Sequence, residues 1–326
     1  MTDRYDVAAI GNAIVDVIAS SDDAFLASQS LAKGGMTLID QNRSTALLAA
    51  MGKGVETSGG SAANTIAGVT SFGGRGAFVG KVADDRLGEV FRRELGADFH
   101  SAGPVTGGPA TGCCLINVTP DAQRTMATFL GAAGLVSPDD IDPAVIEAAR
   151  IVYLEGYLFD PHEARRAFAK AAALARGAGR LMALTLSDSF VVERHREALL
   201  GFIEDQVDVL FANESELCAL FQTDFDQALG AVRSIARIAA VTRSEKGSVV
   251  AEGAEVHTIA AEPVATLVDT TGAGDQYAAG FCLGLAQGRP MAVCGRLGSI
   301  AAAEVISHYG PRPQVSLAAL ASAAGL

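Results

Sequence analysis

The sequence contains no tryptophan, and its few cysteines follow no pattern that would build a disulfide framework. No two of them are spaced as Cys-x-x-Cys, and the one adjacent pair would point to opposite faces of a strand. The five are Cys113, Cys114, Cys218, Cys282 and Cys294. Thiols of this kind are typical of small core residues in a reduced, cytoplasmic protein.

Positive charge is also scarce, because 25 Lys and Arg residues face 37 Asp and Glu residues, a formal net charge of −12. This balance argues against nucleic acid or an anionic membrane as the main partner. It leaves room for a small phosphate-bearing ligand, since a few aimed N–H groups and a metal hold phosphates locally. No apolar run approaches membrane-spanning length, and no signal peptide precedes the first strand. We therefore expect a soluble, cytoplasmic protein.

Two common nucleotide-binding motifs are missing, but one glycine-rich segment stands out. There is no Gly-Lys-Ser/Thr phosphate loop, and Tyr277 occupies the third glycine position of Gly-x-Gly-x-x-Gly. The segment runs from a predicted buried strand end at 265–268, through Gly272 and Gly274, into a helix that begins near Asp275. A helix start presents unpaired N–H groups and the positive end of its dipole to an anion. Asp275 would then be either a base beside that anion or only a helix cap.

A second unusual position is a carboxylate inside an apolar strand. Asp16 lies in the apolar run 14–18, where a buried charge is costly unless a polar group meets it. That group is either a donor of the protein itself or a hydroxyl of a ligand. Further along, Gly59 and Gly60 form a turn before a helix that carries Asn64. The turn either relieves backbone strain or lets a ligand approach, with Asn64 as donor and acceptor.

From residue 137 onward, helical and strand-like segments alternate. The predicted buried strands lie at 151–154, 181–186, 207–211 and 238–242. Such alternation predicts a mostly parallel sheet covered by helices on both faces. Earlier in the chain, the extended runs 111–118 and 124–130 predict a hairpin. No linker rich in proline or serine interrupts the sequence, so we expect a single α/β domain over 1–326.

Polar clusters follow two of these strands, at the sheet edge where ligands bind in open α/β folds. Asn213 is a predicted helix cap, and Glu216 completes its capping box. A loop that begins at Thr242 and ends at Gly247 follows the next strand. A helix cap and a metal shell can coexist at one position, so the capping pattern leaves both roles open for Glu216.

The full run Asp-Thr-Thr-Gly-Ala-Gly-Asp at 269–275 resembles the C-terminal signature of the ribokinase-like (PfkB) carbohydrate kinase family. The Gly59-Gly60 turn followed by Asn64 is similar to the first signature of that family. The resemblance covers essentially the whole chain, from Asn12 to Gly310. It implies a central, mostly parallel sheet flanked by helices on both faces, with a small β lid over the site. The lid is expected from the segments at about 12–20, 33–40 and 110–130.

The family resemblance also implies roles for individual residues. The catalytic base would be Asp275, with Gly272, Ala273 and Gly274 as the anion hole. The acceptor-binding residues would be Asn12, Asp16, Gly59, Gly60 and Asn64. The nucleotide-binding residues would be Arg124, Asn213, Thr242, Gly247 and Gly310, and Ser244 replaces the family's middle glycine in the loop. Glu216 would hold Mg²⁺ through water, whereas Asp269 is either a ligand for a monovalent cation such as K⁺ or a structural cap.

By this resemblance, the protein is an ATP-dependent kinase acting on a primary hydroxyl of a nucleoside. The strand around Asp16 and the segment at Arg124 are most like the adenosine kinase branch, which implies conversion of adenosine to AMP. A sugar kinase of the same family is the alternative. A nicotinamide-dependent oxidoreductase and a catalytically silent nucleoside-binding protein are alternatives of other classes. The expected partners are ATP and a small acceptor, bound by a monomer or homodimer.

Overall fold

The computed structural model describes residues 3–121 and 123–326, and strands and helices are numbered in chain order. The strands are β1 (Tyr5–Ile10), β2 (Ile14–Ser20), β3 (Met36–Leu38), β4 (Val55–Gly59), β5 (Gly76–Val79), β6 (Asp98–His100), β7 (Gly112–Val118), β8 (Arg124–Phe129), β9 (Ala149–Glu155), β10 (Leu181–Thr185), β11 (Val209–Asn213), β12 (Ile238–Thr242), β13 (Ser248–Glu252) and β14 (Glu255–Ile259). The helices are α1 (Asp23–Ser28), α2 (Gln41–Ala50), α3 (Ser61–Ser71), α4 (Arg86–Glu94), α5 (Pro143–Glu147), α6 (His162–Gly177), α7 (Ser189–Gln206), α8 (Glu214–Phe221), α9 (Phe225–Ile235), α10 (Ala273–Ala286), α11 (Met291–Val305) and α12 (Leu317–Ala323).

The larger sheet has nine strands in the order β14-β13-β12-β11-β10-β9-β1-β5-β6. The strands from β6 across to β12 pair in parallel, and only β13 and β14 add antiparallel pairs. One hydrophobic cluster packs α5 to α9 on one face, and a second packs α3, α4, α10 and α11 on the other. The prediction of a mostly parallel sheet covered on both faces is confirmed.

The smaller sheet has five strands in the order β3-β8-β7-β2-β4. Its β7–β8 pair is antiparallel, in agreement with the predicted hairpin. Val15 and Val17 of β2 are buried with Leu47 of α2, in a cluster that continues into the larger sheet. Because side chains alternate along a strand, Asp16 lies on the opposite face. Four of the five strands fall in the segments expected for a lid, whereas β4 was not predicted to be a strand.

Another prediction was wrong, because residues 265–268 form no strand. They belong to an irregular segment between β14 and α10, and Leu267 is 64% exposed. The N–H of Val268 donates to Ile306 rather than to a neighbouring strand. An apolar run becomes a strand only where a neighbouring strand takes up its backbone hydrogen bonds, and here the helix end at Ile306 takes one up instead.

The parts of the chain that the structure describes contain no helix long and apolar enough to cross a membrane. Cys113, Cys114, Cys282 and Cys294 are buried free thiols, and Cys218 is half-buried. Burial raises the pKa of the Cys114 thiol to about 12, as expected for a core residue rather than a reactive one.

Candidate active site

Helix α10 starts at Ala273, and Gly272 precedes it in the left-handed conformation at φ +80°. A side chain at Gly272 would lie 2.6 Å from Pro311, so both backbone and space require glycine there. Among the described residues, the N–H groups of Gly274 and Asp275 donate to no acceptor. The prediction of Ala273 as part of the anion hole was wrong, because its N–H donates to the Thr270 carbonyl oxygen at 3.2 Å. A side chain at Gly274 would meet no atom within 4 Å, so space remains beside it. The turn therefore offers free N–H groups and room for an anion.

The Asp275 carboxylate is held by the first turn of α3. Ser61 Oγ donates to one oxygen at 2.6 Å, and Asn64 Nδ2 donates to the other at 3.0 Å. Burial raises the pKa of Asp275, and these two hydrogen bonds lower it. The sequence predicted Asn64 and Asp275 as site residues, and the structure brings them into contact. Ser61 was not predicted, although it directly follows the Gly59–Gly60 turn.

A carboxylate that the sequence analysis missed fixes the start of α3. Glu155, at the end of β9, is 1% exposed and accepts from Asn12 Nδ2 at 2.7 Å and from the Ala62 N–H at 2.9 Å. Burial raises the pKa of Glu155 to about 7. The available signal was a carboxylate directly after the predicted strand 151–154. Glu155 thus links Asn12 to the helix turn that carries Asn64.

Asp16 lies in the smaller sheet and is 7% exposed. Among the described residues, none donates a hydrogen bond to its carboxylate. A side chain at Gly59 would displace the Asp16 carboxylate, so this glycine preserves the position of Asp16. Gly60 has φ +95° and faces the Asn12 carbonyl oxygen, so its backbone requires glycine. Burial raises the pKa of Asp16 to about 6, while the charges of Arg312 and Arg124 lower it. The charge of Asp275 also acts on Asp16, so the predicted acceptor residues surround one region.

Several buried polar atoms around Asp16 and Asp275 have no partner within the described ranges. They are Asn12 Oδ1, Asn64 Oδ1, Arg124 Nε, Arg312 Nε and Arg312 Nη2. An unpaired buried donor or acceptor is costly, and a ligand with several hydroxyls would satisfy such a set.

At the nucleotide side, Asn213 and Glu216 form a reciprocal capping box at the start of α8. Asn213 Oδ1 accepts from the Glu216 N–H at 2.8 Å, and Glu216 accepts from the Asn213 N–H at 3.0 Å and from Nδ2 at 2.7 Å. Glu216 is buried, which raises its pKa to about 7. Each Glu216 oxygen keeps a free lone pair, which suits contact with a metal through water. The described residues contain no cluster of three or more metal-binding side chains.

The loop from Thr242 to Gly247 joins β12 to β13. A side chain at Gly247 would lie 2.0 Å from the Ile259 carbonyl oxygen, and its φ is +81°. Ser244, which replaces the family's middle glycine, also has a left-handed φ of +52°. Behind this loop, Tyr277 of α10 donates to Ser248 Oγ at 2.8 Å. The strand that follows the loop, β13, is therefore hydrogen-bonded to the same helix that carries Asp275.

Arg124, predicted to bind nucleotide, forms a buried ion pair with Asp269 at 2.8 Å. The second oxygen of Asp269 accepts from the Thr271 N–H and hydroxyl, and the Gly310 N–H adds a bond at 3.1 Å. Both carboxylate oxygens are thus occupied, and Arg124 supplies the positive charge. This geometry favours the structural role of Asp269 over a monovalent-cation ligand.

A carboxylate beside a helix start with free N–H groups, facing a set of unpaired polar atoms, is the arrangement of a phosphotransferase with an alcohol acceptor. Residues 28–317 match the pfkB family of carbohydrate kinases, and the chain belongs to this family. It is a sugar or nucleoside kinase, and kinase relatives imply the use of ATP. The family match sets aside the nicotinamide-dependent oxidoreductase alternative.

Individual relatives include both nucleoside and sugar kinases. The structure of adenosine kinase from Sinorhizobium meliloti is 48% identical with a TM-score of 0.90, covering 98% of this chain and 99% of that one. A probable sugar kinase from Rhizobium etli CFN 42 is 44% identical with a TM-score of 0.92, covering 100% and 99%. Adenosine kinase of Saccharomyces cerevisiae is 28% identical over 326 residues, covering 93% of this chain and 95% of that protein.

Proposed function

We propose that this protein transfers the terminal phosphoryl group of ATP to the 5′-hydroxyl of adenosine, giving AMP and ADP. The observation that carries the proposal is the unpaired Asp16 carboxylate, buried near Asp275 and among unpaired amide and guanidinium atoms. A ribosyl group has adjacent hydroxyls that would donate to Asp16 and a primary hydroxyl that could reach Asp275. The similarity to the Sinorhizobium meliloti adenosine kinase supports the nucleoside over other acceptors.

In this proposal, Asp275 accepts the proton of the attacking hydroxyl. Ser61 and Asn64 orient its carboxylate, and each of its oxygens keeps a lone pair for the acceptor. The N–H groups of Gly274 and Asp275, at the start of α10, stabilise the charge of the transferred group. Positioning and electrostatics of this kind account for most of the catalysis in phosphoryl transfer. The smaller sheet covers the acceptor as a lid, within a single domain.

Glu216 and Asn213 would hold Mg²⁺ through its waters, because the capping box leaves one lone pair free on each Glu216 oxygen. Bound magnesium would neutralise part of the phosphate charge. Thr242, Gly247 and Gly310 would form the nucleotide side of the cleft. A monovalent cation is not part of the proposal, since Arg124 already neutralises Asp269.

A sugar kinase is the second candidate, because a probable sugar kinase shares the whole fold with 44% identity. Any acceptor with adjacent hydroxyls would satisfy Asp16 and Asn64, so these residues alone do not choose between a nucleoside and a sugar. The two proposals differ in whether a base attached to the sugar improves binding.

The test is an ADP-release assay with ATP, with and without Mg²⁺, and a panel of adenosine, other nucleosides, ribose and fructose. We expect magnesium-dependent ADP release, with the highest kcat/KM for adenosine and a product that co-migrates with AMP. A higher kcat/KM for a free sugar would replace the adenosine proposal by the sugar kinase. The absence of ADP release with every acceptor would contradict both.

A further inference from the structure

Arg312, near the C-terminus, has a guanidinium group that is only partly hydrogen-bonded although two of its nitrogens are buried. Its Nη1 donates to the Glu94 carbonyl oxygen at 2.7 Å, but Nε and Nη2 are buried without an acceptor among the described residues. An arginine presents its donors as a planar fork that suits oxygen acceptors. Burial lowers the pKa of Arg312 to about 10, while the negative charge of Asp16 raises it. Two unsatisfied charged donors in a buried place indicate a missing acceptor.

The backbone before Arg312 fixes this side chain beside the acceptor region. The Gly310 N–H donates to Asp269, and the Pro311 carbonyl oxygen accepts from Gln276 Nε2 at 2.9 Å. The same Gln276 nitrogen donates to the Asn64 carbonyl oxygen at 2.9 Å. The segment is therefore attached to both the loop before α10 and the first turn of α3, which carry the groups around Asp275.

A role of Arg312 as the counter-ion of Asp16 does not explain how the two side chains are placed. Arg312 donates to Glu94 at the end of α4, and α4 packs against β2, the strand that carries Asp16. In agreement with this placement, the charge of Arg312 lowers the pKa of Asp16. Arg312 and Asp16 nevertheless form no direct ion pair, because no Arg312 nitrogen lies within 4.0 Å of an Asp16 carboxylate oxygen among the described residues. Asp16 has only acceptors to offer, and Arg312 has only donors. One hydroxyl between them would donate to Asp16 and accept from Arg312.

We propose that Arg312 is an acceptor-specificity residue that donates its free N–H groups to the oxygen of a ribosyl hydroxyl whose hydrogen Asp16 accepts. This inference rests on the proposed function, because it assigns a residue to its acceptor pocket. Arg312 would select acceptors that carry a secondary hydroxyl between Asp16 and its own N–H groups, and it would discriminate against the deoxy compounds that lack this hydroxyl. A site that hydrogen-bonds a hydroxyl rejects analogues that lack it, since its own polar groups are then left unpaired.

The experiment compares wild type with Arg312→Met on adenosine, 2′-deoxyadenosine and 3′-deoxyadenosine. With adenosine, we expect the variant to lose about 10- to 100-fold in kcat/KM, the range for hydrogen bonds to charged groups. The loss should appear mainly in the KM for adenosine, with the KM for ATP unchanged. For the one deoxynucleoside that lacks the bridging hydroxyl, the variant and wild type should differ by less than about 3-fold, because the contact is absent from both.

Two further variants control for structural effects. Arg93→Met removes an exposed arginine whose side chain hydrogen-bonds only to Glu94 among the described residues, and it should change none of these constants. Arg312→Lys keeps the charge near Asp16 but loses the planar fork. It should follow the same pattern across the three nucleosides with a smaller loss, so a folding defect in Arg312→Met leaves the proposal testable.

The outcomes separate this inference from the proposed function. An equal loss with adenosine and both deoxynucleosides, or a loss in the KM for ATP, would overturn the role of Arg312 and leave the adenosine kinase activity standing. If wild type does not phosphorylate adenosine but phosphorylates a sugar, the adenosine proposal fails. A loss of kcat/KM in Arg312→Met on that sugar, but not on its deoxy analogue, would still support the proposed role of Arg312. If no acceptor is phosphorylated, both proposals fall.

Discussion

At the scale of single residues, the Asp275 carboxylate is oriented by donors from one helix turn. Ser61 and Asn64 each occupy one of its oxygens, and they belong to a segment more than 200 positions away in sequence. Because Asn64 Oδ1 has no partner of its own in the described ranges, the Asn64 amide can reverse and present oxygen instead of nitrogen. A neutral amide at position 275 would therefore fit the same surroundings.

This fit makes Asp275→Asn a sharp test of general-base catalysis. We expect kcat to fall by about 10²- to 10⁴-fold, because an amide does not accept the hydroxyl proton. Both KM values and the melting temperature should stay close to wild type in steady-state kinetics and thermal unfolding. Ser61→Ala is the matched control, since it keeps the carboxylate and removes one donor, and its kcat should fall much less. A near wild-type kcat for Asp275→Asn would make Asp275 only a helix cap.

At the scale of secondary-structure elements, the Arg124–Asp269 ion pair joins the hairpin of the smaller sheet to the loop before α10. Both side chains are less than 10% exposed, and Gly310 and Thr271 donate to the same carboxylate. The pair therefore couples the position of β8 to the shape of the turn around Gly272. Loss of either charge leaves the other buried and uncompensated.

A double-mutant cycle measures this coupling. By denaturant unfolding, we expect Arg124→Met and Asp269→Asn each to cost about 3–5 kcal/mol, the range for breaking a buried pair from one side. The double variant should cost clearly less than the sum of the two. The exposed pair of Arg86 and Glu56 is the control, where an equivalent cycle should give at most about 1 kcal/mol. Additive costs at Arg124 and Asp269 would contradict the coupling.

At the scale of the whole molecule, buried carboxylates make stability depend on pH. The pKa of Glu155 and that of Glu216 are each about 7 in the folded protein, against an ordinary value of 4.5. Between pH 4.5 and 7, the folded state therefore binds more protons than the unfolded state. The free energy of unfolding should fall as the pH rises through this window.

Urea unfolding at a series of pH values checks this prediction. In Glu155→Gln, the decrease in unfolding free energy between pH 5 and pH 8 should be smaller than in wild type, because one of the buried carboxylates with a raised pKa no longer titrates. Glu163→Gln is the control, since Glu163 lies on the surface with its pKa lowered by His162 and Arg166, and its removal should leave the slope unchanged. If the unfolding free energy of Glu155→Gln changes with pH as steeply as that of wild type, Glu155 does not contribute to the pH dependence of stability.

The sequence predicted the parallel sheet, the β7–β8 hairpin and the start of α10, because local patterns determine them. It failed at 265–268, where apolar residues alone do not reveal whether a strand edge is available. The surroundings of Glu155 and Arg312 could not be predicted, because they come from contacts that only the folded chain creates. The roles of the predicted site residues, the single domain and the cytoplasmic location stay predictions.

The position of β1 has a consequence for how the chain folds during synthesis. This first strand pairs with β5 on one side and with β9 on the other, so the centre of the larger sheet needs residue 155 before it can close. At 5–20 residues per second, the ribosome takes roughly 7–29 s to add the 145 residues (155 − 10) between the end of β1 and the end of β9. The strand Tyr5–Ile10 lacks both partners until β5 is made and lacks β9 for the rest of this time, and pairing across such a separation is slow. Until β9 emerges, one edge of β1 keeps unpaired N–H and C=O groups that can pair with another chain.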